Sequence, residues 1–356
     1  MHLVDLLSLR AVPAAGVSLA LTRRCPLSCA HCATNSLFTS EEAPAEMFVR
    51  FVDSFGPDDR PEVLAISGGE AFLRPALVQE LAERASLVGC RTTALSGMFW
   101  AKSRRIPPSI KRAIDPLAHF SVSLDVFHER EVRREDVYRV LETLVAEGKD
   151  VSVHLTGLNP DDPYLAERSD EIRRIFDGRV PILVNAVNYV GRAMQWLEKP
   201  EESPTPTVEA DPCTLAAWPV VAFNGTIVAC GNDDVVDGPP PPHLRLGHAD
   251  TDGWPEVKAR YLSSPMLRAI RTFGPRYVAD RYSAGAVACN GYCSTCHKLS
   301  TDPAIEKRVA AVMESPTGTV LEEQVLALQR HAGPEAFMRR FGLPAYAELV
   351  NLGVPA

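Results

Sequence analysis

The feature that most limits the possible folds is a six-fold alternation of short apolar runs with amphipathic segments between residues 17 and 190. The apolar runs are rich in β-branched residues, which predicts strands at 17–22, 62–67, 91–97, 119–125, 150–157 and 180–190. Strands that alternate with helical segments, such as 45–55, 74–88 and 135–148, predict a parallel sheet with right-handed crossovers. Six units are too few for a closed eight-stranded barrel, so we expect an α/β fold built on an open, partial (β/α)6 barrel.

The composition changes after residue 190, which indicates a second and smaller unit in this 356-residue chain. The segment 198–212 is rich in proline and acidic residues, as in a linker, and the region after it combines short strands with clustered cysteines. The tail from about residue 303 has helical spacing. We therefore expect a barrel domain over 1–198, a linker over 199–212, a small cysteine-rich domain over 213–300 and a helical tail over 301–356.

Charge and cysteine content exclude several classes of protein. The formal net charge is −8 without a block of Lys or Arg, so nucleic acid is not an expected partner. The apolar N-terminus lacks a basic segment and is interrupted by Asp5, Arg10 and Pro13, which argues against a signal peptide or a membrane span. Eight of the nine cysteines are clustered, which favours metal ligation in a reducing cytoplasm over a disulfide scaffold.

Three cysteines directly follow the first predicted strand, where sheets and barrels of this kind gather their ligands. Cys25, Cys29 and Cys32 have the spacing C-x3-C-x2-C. Thiolates suit iron–sulfur clusters, and three protein ligands on a four-iron cube would leave one iron free for a substrate or cofactor. A structural zinc ion with a more distant fourth ligand is the alternative, and His31 lies close enough to be considered.

The second predicted strand ends in Ser67, Gly68, Gly69 and Glu70. Two glycines let the backbone come close to a ligand, and a carboxylate can accept hydrogen bonds from an ammonium group. A Gly-Gly pair alone is usually an ordinary turn. After a second strand, and downstream of the three spaced cysteines, it is a much more specific pattern.

Together the two motifs make the sequence resemble the radical S-adenosylmethionine (radical SAM) superfamily over about residues 15–195. The resemblance implies a partial (β/α)6 barrel in which Cys25, Cys29 and Cys32 hold a catalytic [4Fe–4S] cluster. It implies that SAM chelates the open iron through its amino and carboxyl groups. A reduced cluster at very low potential would then cleave SAM to a 5′-deoxyadenosyl radical, with a flavodoxin- or ferredoxin-type protein as electron donor.

The resemblance also implies which other residues meet SAM. The set expected around its amino group is Ser67, Gly68, Gly69 and Glu70. Ser123 and Asp125, at the end of the fourth strand, fall where the family often contacts SAM, although polar residues there could equally be part of the barrel rim. Arg192, in a Gly-Arg pair after the sixth strand, would meet a carboxylate of SAM or substrate, or simply form a pair at the rim.

A second set of cysteines lies in the C-terminal half, at positions 213, 230, 289, 293 and 296. Their pattern, with Gly225 in G-x4-C, resembles the SPASM/twitch extensions of radical SAM enzymes. This implies an auxiliary [4Fe–4S] cluster, ligated by Cys213, Cys230, Cys293 and Cys296. Cys289 is then a buried thiol, a replacement ligand or a donor facing the substrate, and a structural zinc ion is the alternative to the cluster.

Three functions remain open at this point. The first is a radical SAM enzyme that abstracts hydrogen from a small biosynthetic intermediate such as a sugar, cyclitol or nucleoside, which the short N-terminus and the single auxiliary cluster favour. The second is a maturase that cross-links or epimerises a ribosomally made peptide. The third is a non-catalytic zinc-binding protein. Candidate substrate-binding residues on the fifth and sixth strands are His154, Thr156, Asn185, Asn188 and Tyr189.

Overall fold

Six parallel strands in chain order form the centre of the fold. The computed structural model describes residues 1–199, 209–285 and 291–354. Neighbouring strands in the sequence are neighbours in the sheet, and all five pairings are parallel. The strands are β1 (Gly16–Ala20), β2 (Val63–Ser67), β3 (Arg91–Ser96), β4 (His119–Asp125), β5 (Val151–Gly157) and β6 (Ile182–Ala186). The expected α/β architecture with a parallel sheet is confirmed.

Helices precede β1 and connect the parallel strands. They are α1 (Leu3–Leu9), α2 (Glu46–Asp53), α3 (Pro75–Leu87), α4 (Pro108–Ile114), α5 (Arg134–Ala146) and α6 (Pro163–Ile175). Three of them begin with proline, which costs no hydrogen bond at that position, and the side chain of Asp162 caps α6 by accepting from the backbone N–H of Tyr164. Each amphipathic helix buries its apolar stripe, as Phe48 and Phe51 of α2 illustrate with 0% exposure.

The sheet continues beyond the barrel strands on the open side of β1. There β7 (Val220–Val221) pairs in parallel with β1, and β8 (Thr226–Val228) and β9 (Arg245–His248) follow in antiparallel order. Buried residues of both halves, for example Leu19 and Ile227, belong to one core cluster. The cysteine-rich region thus shares a sheet and a core with the barrel, and its division into a separate domain stays a prediction.

The C-terminal part is largely helical, and helices occur between residues 233 and 298 as well as in the tail from about residue 303, where the spacing predicted them. Its helices are α7 (Asp233–Asp237), α8 (Trp254–Ser263), α9 (Pro265–Phe273), α10 (Pro275–Tyr282), α11 (Tyr292–Lys298), α12 (Pro303–Met313) and α13 (Pro316–Phe341). Helix α13 bends at Gly333, whose φ is 73°, directly before Pro334. Within the described ranges, we find no helix with the length and apolarity needed to cross a bilayer.

One face of β4, β5 and β6 is polar. Ser121 pairs with Ser152, Ser123 with His154, and Thr156 with Asn185. The opposite face of the same strands carries buried apolar residues, including Val122, Leu155 and Val184. Side chains alternate along a strand, so this pattern gathers the polar groups on one side of the sheet. We call the carboxyl ends of the six parallel strands, with the loops that follow them, the barrel mouth.

Candidate functional site

The three cysteines after β1 come together at the barrel mouth. Cys29 is buried, whereas Cys25 and Cys32 are half-buried. Burial raises the pKa of the Cys25 thiol to about 12; the nearby Glu70, Cys29 and Cys32 contribute to this rise, and a hydrogen bond from the backbone of Leu27 opposes it. Such a thiol must lose its proton to ligate a metal, and the predicted role of the three cysteines as ligands stays a prediction.

One group of three side chains in residues 1–199, 209–285 and 291–354 has ligand atoms within 4.8 Å of one another: His31, Asp125 and His128. No three cysteine Sγ atoms come that close in the same ranges.

The glycine pair after β2 packs against the segment that leads to Cys25. The N–H of Gly69 donates to the carbonyl of Thr22 at 2.6 Å, and the N–H of Glu70 donates to the carbonyl of Arg24 at 2.9 Å. A Cβ atom on Gly68 would lie 2.6 Å from the Thr22 carbonyl oxygen, too close for any side chain. These residues therefore position the cysteine loop, and their predicted contact with SAM stays a prediction.

The carboxylate of Glu70 is 1% exposed and already holds three donors. It accepts from the backbone N–H of Phe72 at 3.0 Å, from the Ser96 hydroxyl at 3.1 Å and from the backbone N–H of Gly97 at 2.8 Å. Burial raises its pKa to about 7, while these hydrogen bonds oppose the shift. The Ser96 hydroxyl lies 3.1 Å from both carboxylate oxygens but has one proton to donate, so three donors hold a group with about four acceptor positions.

The raised pKa of Glu70 makes the stability of the metal-free protein depend on pH. The folded pKa of about 7 lies above the usual glutamate pKa of 4.5, so unfolding becomes easier as the pH rises from about 4.5 to 7. The full shift corresponds to about 3 kcal/mol. Between pH 4.5 and 7.5, we expect the free energy of unfolding to fall less for Glu70→Gln than for the wild type. Urea titration at each pH measures it. An identical pH dependence in both proteins would show that Glu70 does not titrate in this range.

Asp125 lies at the end of β4 and is 1% exposed. Its Oδ1 accepts from the backbone N–H groups of Phe127 and His128, both at 2.9 Å. Its Oδ2 lies 2.6 Å from Nδ1 of His128 and 3.3 Å from Nε2 of His31. Burial opposes ionisation, but His128 and His31 hold the pKa of Asp125 well below its usual range. All its acceptor positions are occupied, so the predicted contact with SAM would have to replace one of these bonds.

His128 is a site residue that sequence reasoning missed. Burial alone would lower its pKa, but the Asp125 carboxylate raises it well above the usual value. Its ring edge lies against Gly97, where an added Cβ would sit 3.4 Å from Nε2 of His128. The ring of His31 stacks on Phe127 with centroids 4.6 Å apart. The available signal was the position of His128 three residues after Asp125, which suits a side chain that folds back onto the strand end.

The remaining candidates lie on the polar face of the sheet or at the barrel mouth. Ser67 and Ser123 are half-buried on β2 and β4. His154, opposite Ser123 on β5, has a buried Nε2 atom without a hydrogen-bond partner, and burial lowers its pKa to about 4. Asn188 is exposed at the rim. Arg192 reaches backbone carbonyls of the cysteine loop, including that of Cys29 at 2.8 Å. The predicted roles of these residues in binding SAM or substrate stay predictions.

Four cysteines of the second set also come together. Cys213 precedes a 3₁₀ turn, Cys230 follows β8, and Cys293 and Cys296 lie on α11. Burial raises the pKa of Cys296 well above its usual value, and the thiols of the other three add to the shift. Nε2 of His243, which the sequence did not single out, lies 3.9 Å from Sγ of Cys296. Cys289 lies outside the described residues.

The comparison with known proteins agrees with the motif of three spaced cysteines and the Gly-Gly-Glu motif. Residues 19–163 match the model of the radical SAM superfamily. The chain is 28% identical over 129 residues to the "Putative peptide biosynthesis protein YydG" of Bacillus subtilis (strain 168), which covers 35% of this chain and 40% of that protein. The chain thus spans less than half the length of the curated relative that it matches.

Solved structures with a similar course of the chain include two complexes with SAM, written AdoMet in their descriptions. "Native anSMEcpe with bound AdoMet and Cp18Cys peptide" has a TM-score of 0.48 and 12% identity, covering 86% of this chain and 99% of that one. "Crystal structure of BtrN in complex with AdoMet and 2-DOIA" has a TM-score of 0.45 and 10% identity, covering 73% and 87%. Residues 19–163, which include Cys25, Cys29, Cys32 and Glu70, are therefore similar to a radical SAM domain.

Proposed function

We propose that the chain is a radical SAM enzyme in which Cys25, Cys29 and Cys32 hold the SAM-binding cluster. The observation that carries this proposal is the placement of three interacting thiols directly after β1, inside the matched residues. When bound, the cluster and SAM supply a 5′-deoxyadenosyl radical that abstracts hydrogen from unactivated carbon. The chain itself supplies ligands, placement and exclusion of water.

Residues around the cysteine loop are proposed to orient SAM. Glu70 retains one acceptor position for the SAM ammonium group, and the backbone of Gly68 and Gly69 lies beside the same loop. Ser67 and Ser123 lie on the polar face of the sheet, against which the rest of the molecule would lie. A buried carboxylate with one free acceptor position can distinguish an ammonium group from an uncharged one.

Protein purified with its iron–sulfur clusters provides the direct test of this function. Chain purified without oxygen is expected to contain iron and acid-labile sulfide, and to form 5′-deoxyadenosine from SAM when a low-potential reductant is added. Mass spectrometry of the reaction mixture measures the product. Stoichiometric zinc without sulfide, together with no 5′-deoxyadenosine, would instead support the non-catalytic zinc-binding protein.

We further propose an auxiliary [4Fe–4S] cluster on Cys213, Cys230, Cys293 and Cys296. Cys293→Ala is expected to remove about half of the iron and to retain some SAM cleavage that is uncoupled from substrate, because the first cluster keeps its ligands. Elemental analysis and product quantification check both. The matched control is Cys90→Ala, since Cys90 is a buried thiol outside both sets and should leave the iron content unchanged. Unaltered iron in Cys293→Ala would contradict the auxiliary cluster.

For the substrate, two observations favour a peptide. One is the similarity to a protein described as a putative peptide biosynthesis protein. The other is a group of exposed apolar side chains in the loops that follow β1, β5 and β6: Leu37, Phe38, Leu158, Met194 and Trp196, between 42% and 56% exposed. Apolar groups around the entrance suit the side chains of a peptide that approaches the mouth.

A small intermediate such as a sugar, cyclitol or nucleoside is the second candidate. The polar face of β4–β6 favours it, because Ser123, His154 and Thr156 offer hydrogen-bonding groups inside the barrel. The two classes are distinguished by the stimulation of 5′-deoxyadenosine formation. Short peptides encoded beside the gene are one set of probes, and sugars, cyclitols and nucleosides are the other. The class that increases SAM consumption and gains a modified product is the substrate class.

A further inference from the structure

The segment after β6 lies directly on the cysteine loop and bonds four of its carbonyl groups. The backbone N–H of Arg192 donates to the carbonyl of Cys32 at 2.9 Å. The Arg192 guanidinium donates through Nε to the carbonyl of Cys29 and through Nη1 to that of Ser36, both at 2.8 Å. Nε1 of Trp196 donates to the carbonyl of Ala30 at 2.8 Å.

A glycine permits this close approach. Gly191 has a φ of 54°, and a Cβ atom there would lie 2.2 Å from the carbonyl oxygen of Ala33 and 2.3 Å from that of Cys32. Any other residue would push the segment off the loop. The loop between Cys25 and Ser36 contains neither a helix nor a strand, so its carbonyl groups need partners from elsewhere in the chain.

The Arg192 guanidinium donates to backbone carbonyl groups, whereas an arginine that binds a carboxylate of SAM or substrate would keep these donors free for it. In the described part of the chain, no acidic side chain lies within ion-pair distance of Arg192. Its Nε and Nη1 instead bond the carbonyls of Cys29 and Ser36, which lie on either side of Cys32 in the sequence. A guanidinium holds its donors in a rigid plane, so two bonds from one group fix the relative position of two carbonyls.

We propose that Gly191, Arg192 and Trp196 form a clamp that holds the cysteine loop in the geometry needed to ligate the first cluster. The inference rests on the proposed function, because it assumes that Cys25, Cys29 and Cys32 are the ligands. Arg192 is a positioning residue, acting through the loop on the cluster rather than on SAM. The clamp also connects the end of the barrel to the loop that carries its metal ligands.

Arg192→Lys tests the clamp, because lysine keeps the charge but cannot bond both carbonyls with one planar group. If Cys293→Ala removes the spectrum of the auxiliary cluster, Arg192→Lys is made in the Cys293→Ala protein, so that the first cluster alone is observed. Without SAM, we expect an altered electron paramagnetic resonance spectrum of the reduced cluster and about tenfold faster loss of iron to a ferrous chelator. Arg130→Lys, an exposed residue near the same mouth, should change neither.

Two outcomes overturn the clamp, and a third overturns its premise. If Arg192→Lys raises the KM for SAM but leaves the SAM-free spectrum and the chelation rate unchanged, Arg192 acts on SAM. If Trp196→Phe and Arg192→Lys both leave those two readouts unchanged, the carbonyl bonds do not hold the loop. Trp196→Phe removes one bond from a partly exposed ring, so it remains informative if the arginine variant does not fold. Absence of an iron–sulfur spectrum in the wild type would refute the proposed function instead.

Discussion

Cys29→Ala is expected to lower 5′-deoxyadenosine formation to the background rate while the iron of the second cysteine set stays bound. Cys29 is the buried member of the first set, and its carbonyl is held by Arg192. Removing its thiol leaves two protein ligands for a cube that needs three to stay anchored. Product quantification by mass spectrometry, with elemental analysis of the same sample, measures the result.

The matched control for this variant is again Cys90→Ala. Cys90 is 2% exposed and precedes β3, away from both cysteine sets, so its loss changes packing without removing a ligand. It should retain both SAM cleavage and iron. Persistent 5′-deoxyadenosine formation by Cys29→Ala would mean that a different group of residues binds the active cluster.

Gly69→Ala is expected to remove the first cluster and to destabilise the fold. The added Cβ would lie 2.5 Å from the carbonyl oxygen of Arg24 and 2.9 Å from that of Arg23. Both contacts are with backbone, so the segment that leads to Cys25 must shift, at a cost of about 1–3 kcal/mol. Urea titration measures the loss of stability, and iron analysis after reconstitution measures the loss of the cluster.

Gly56→Ala provides the comparison, because the nearest atoms to an added Cβ there are 3.9 Å away. That variant should retain the wild-type stability within about 1 kcal/mol. Wild-type stability and iron content in Gly69→Ala would show that the end of β2 does not position the cysteine loop.

The parallel strands could be predicted from sequence because each combines β-branched residues with flanking helical spacing. The sixth prediction, 180–190, extended too far, since β6 ends at Ala186. The residues after it lie against the cysteine loop, and Gly191 adopts a positive φ at this contact. That departure depends on a tertiary contact with residues far away in the sequence, so local pattern alone could not indicate it.

The short strands β7–β9 show the same limit. Val220 and Val221 form a two-residue strand whose place beside β1 follows from pairing with Ser18 and Leu19, not from any periodicity of its own. Sequence therefore predicted a cysteine-rich region but not its continuation of the barrel sheet. Short strands carry too few residues to display a pattern, and their pairing is decided by the sheet edge available to them.

The candidate site divides along similar lines. Cys25, Cys29, Cys32 and Glu70 could be proposed as site residues because they lie in two short motifs, each confined to a few neighbouring positions. The hydrogen-bond networks could not be predicted, because each joins segments that are distant in the sequence: Asp125 with His31, and Arg192 with Cys29. For Asp125 and Arg192 the sequence left contact with SAM and a structural role at the rim equally open. The structure shows both side chains bonded to protein groups, and their contact with SAM stays a prediction.

The central claim is that the first cluster is held by three cysteines and binds SAM at its fourth iron. Electron–nuclear double resonance on the reduced protein tests it, with SAM labelled by ¹⁷O in the carboxylate and by ¹⁵N in the amino group. We predict strong coupling of both labels to the cluster in the wild type and in Cys293→Ala. A cluster signal that shows no coupling to either label, or a protein-capped zinc ion in place of the cluster, would contradict the claim.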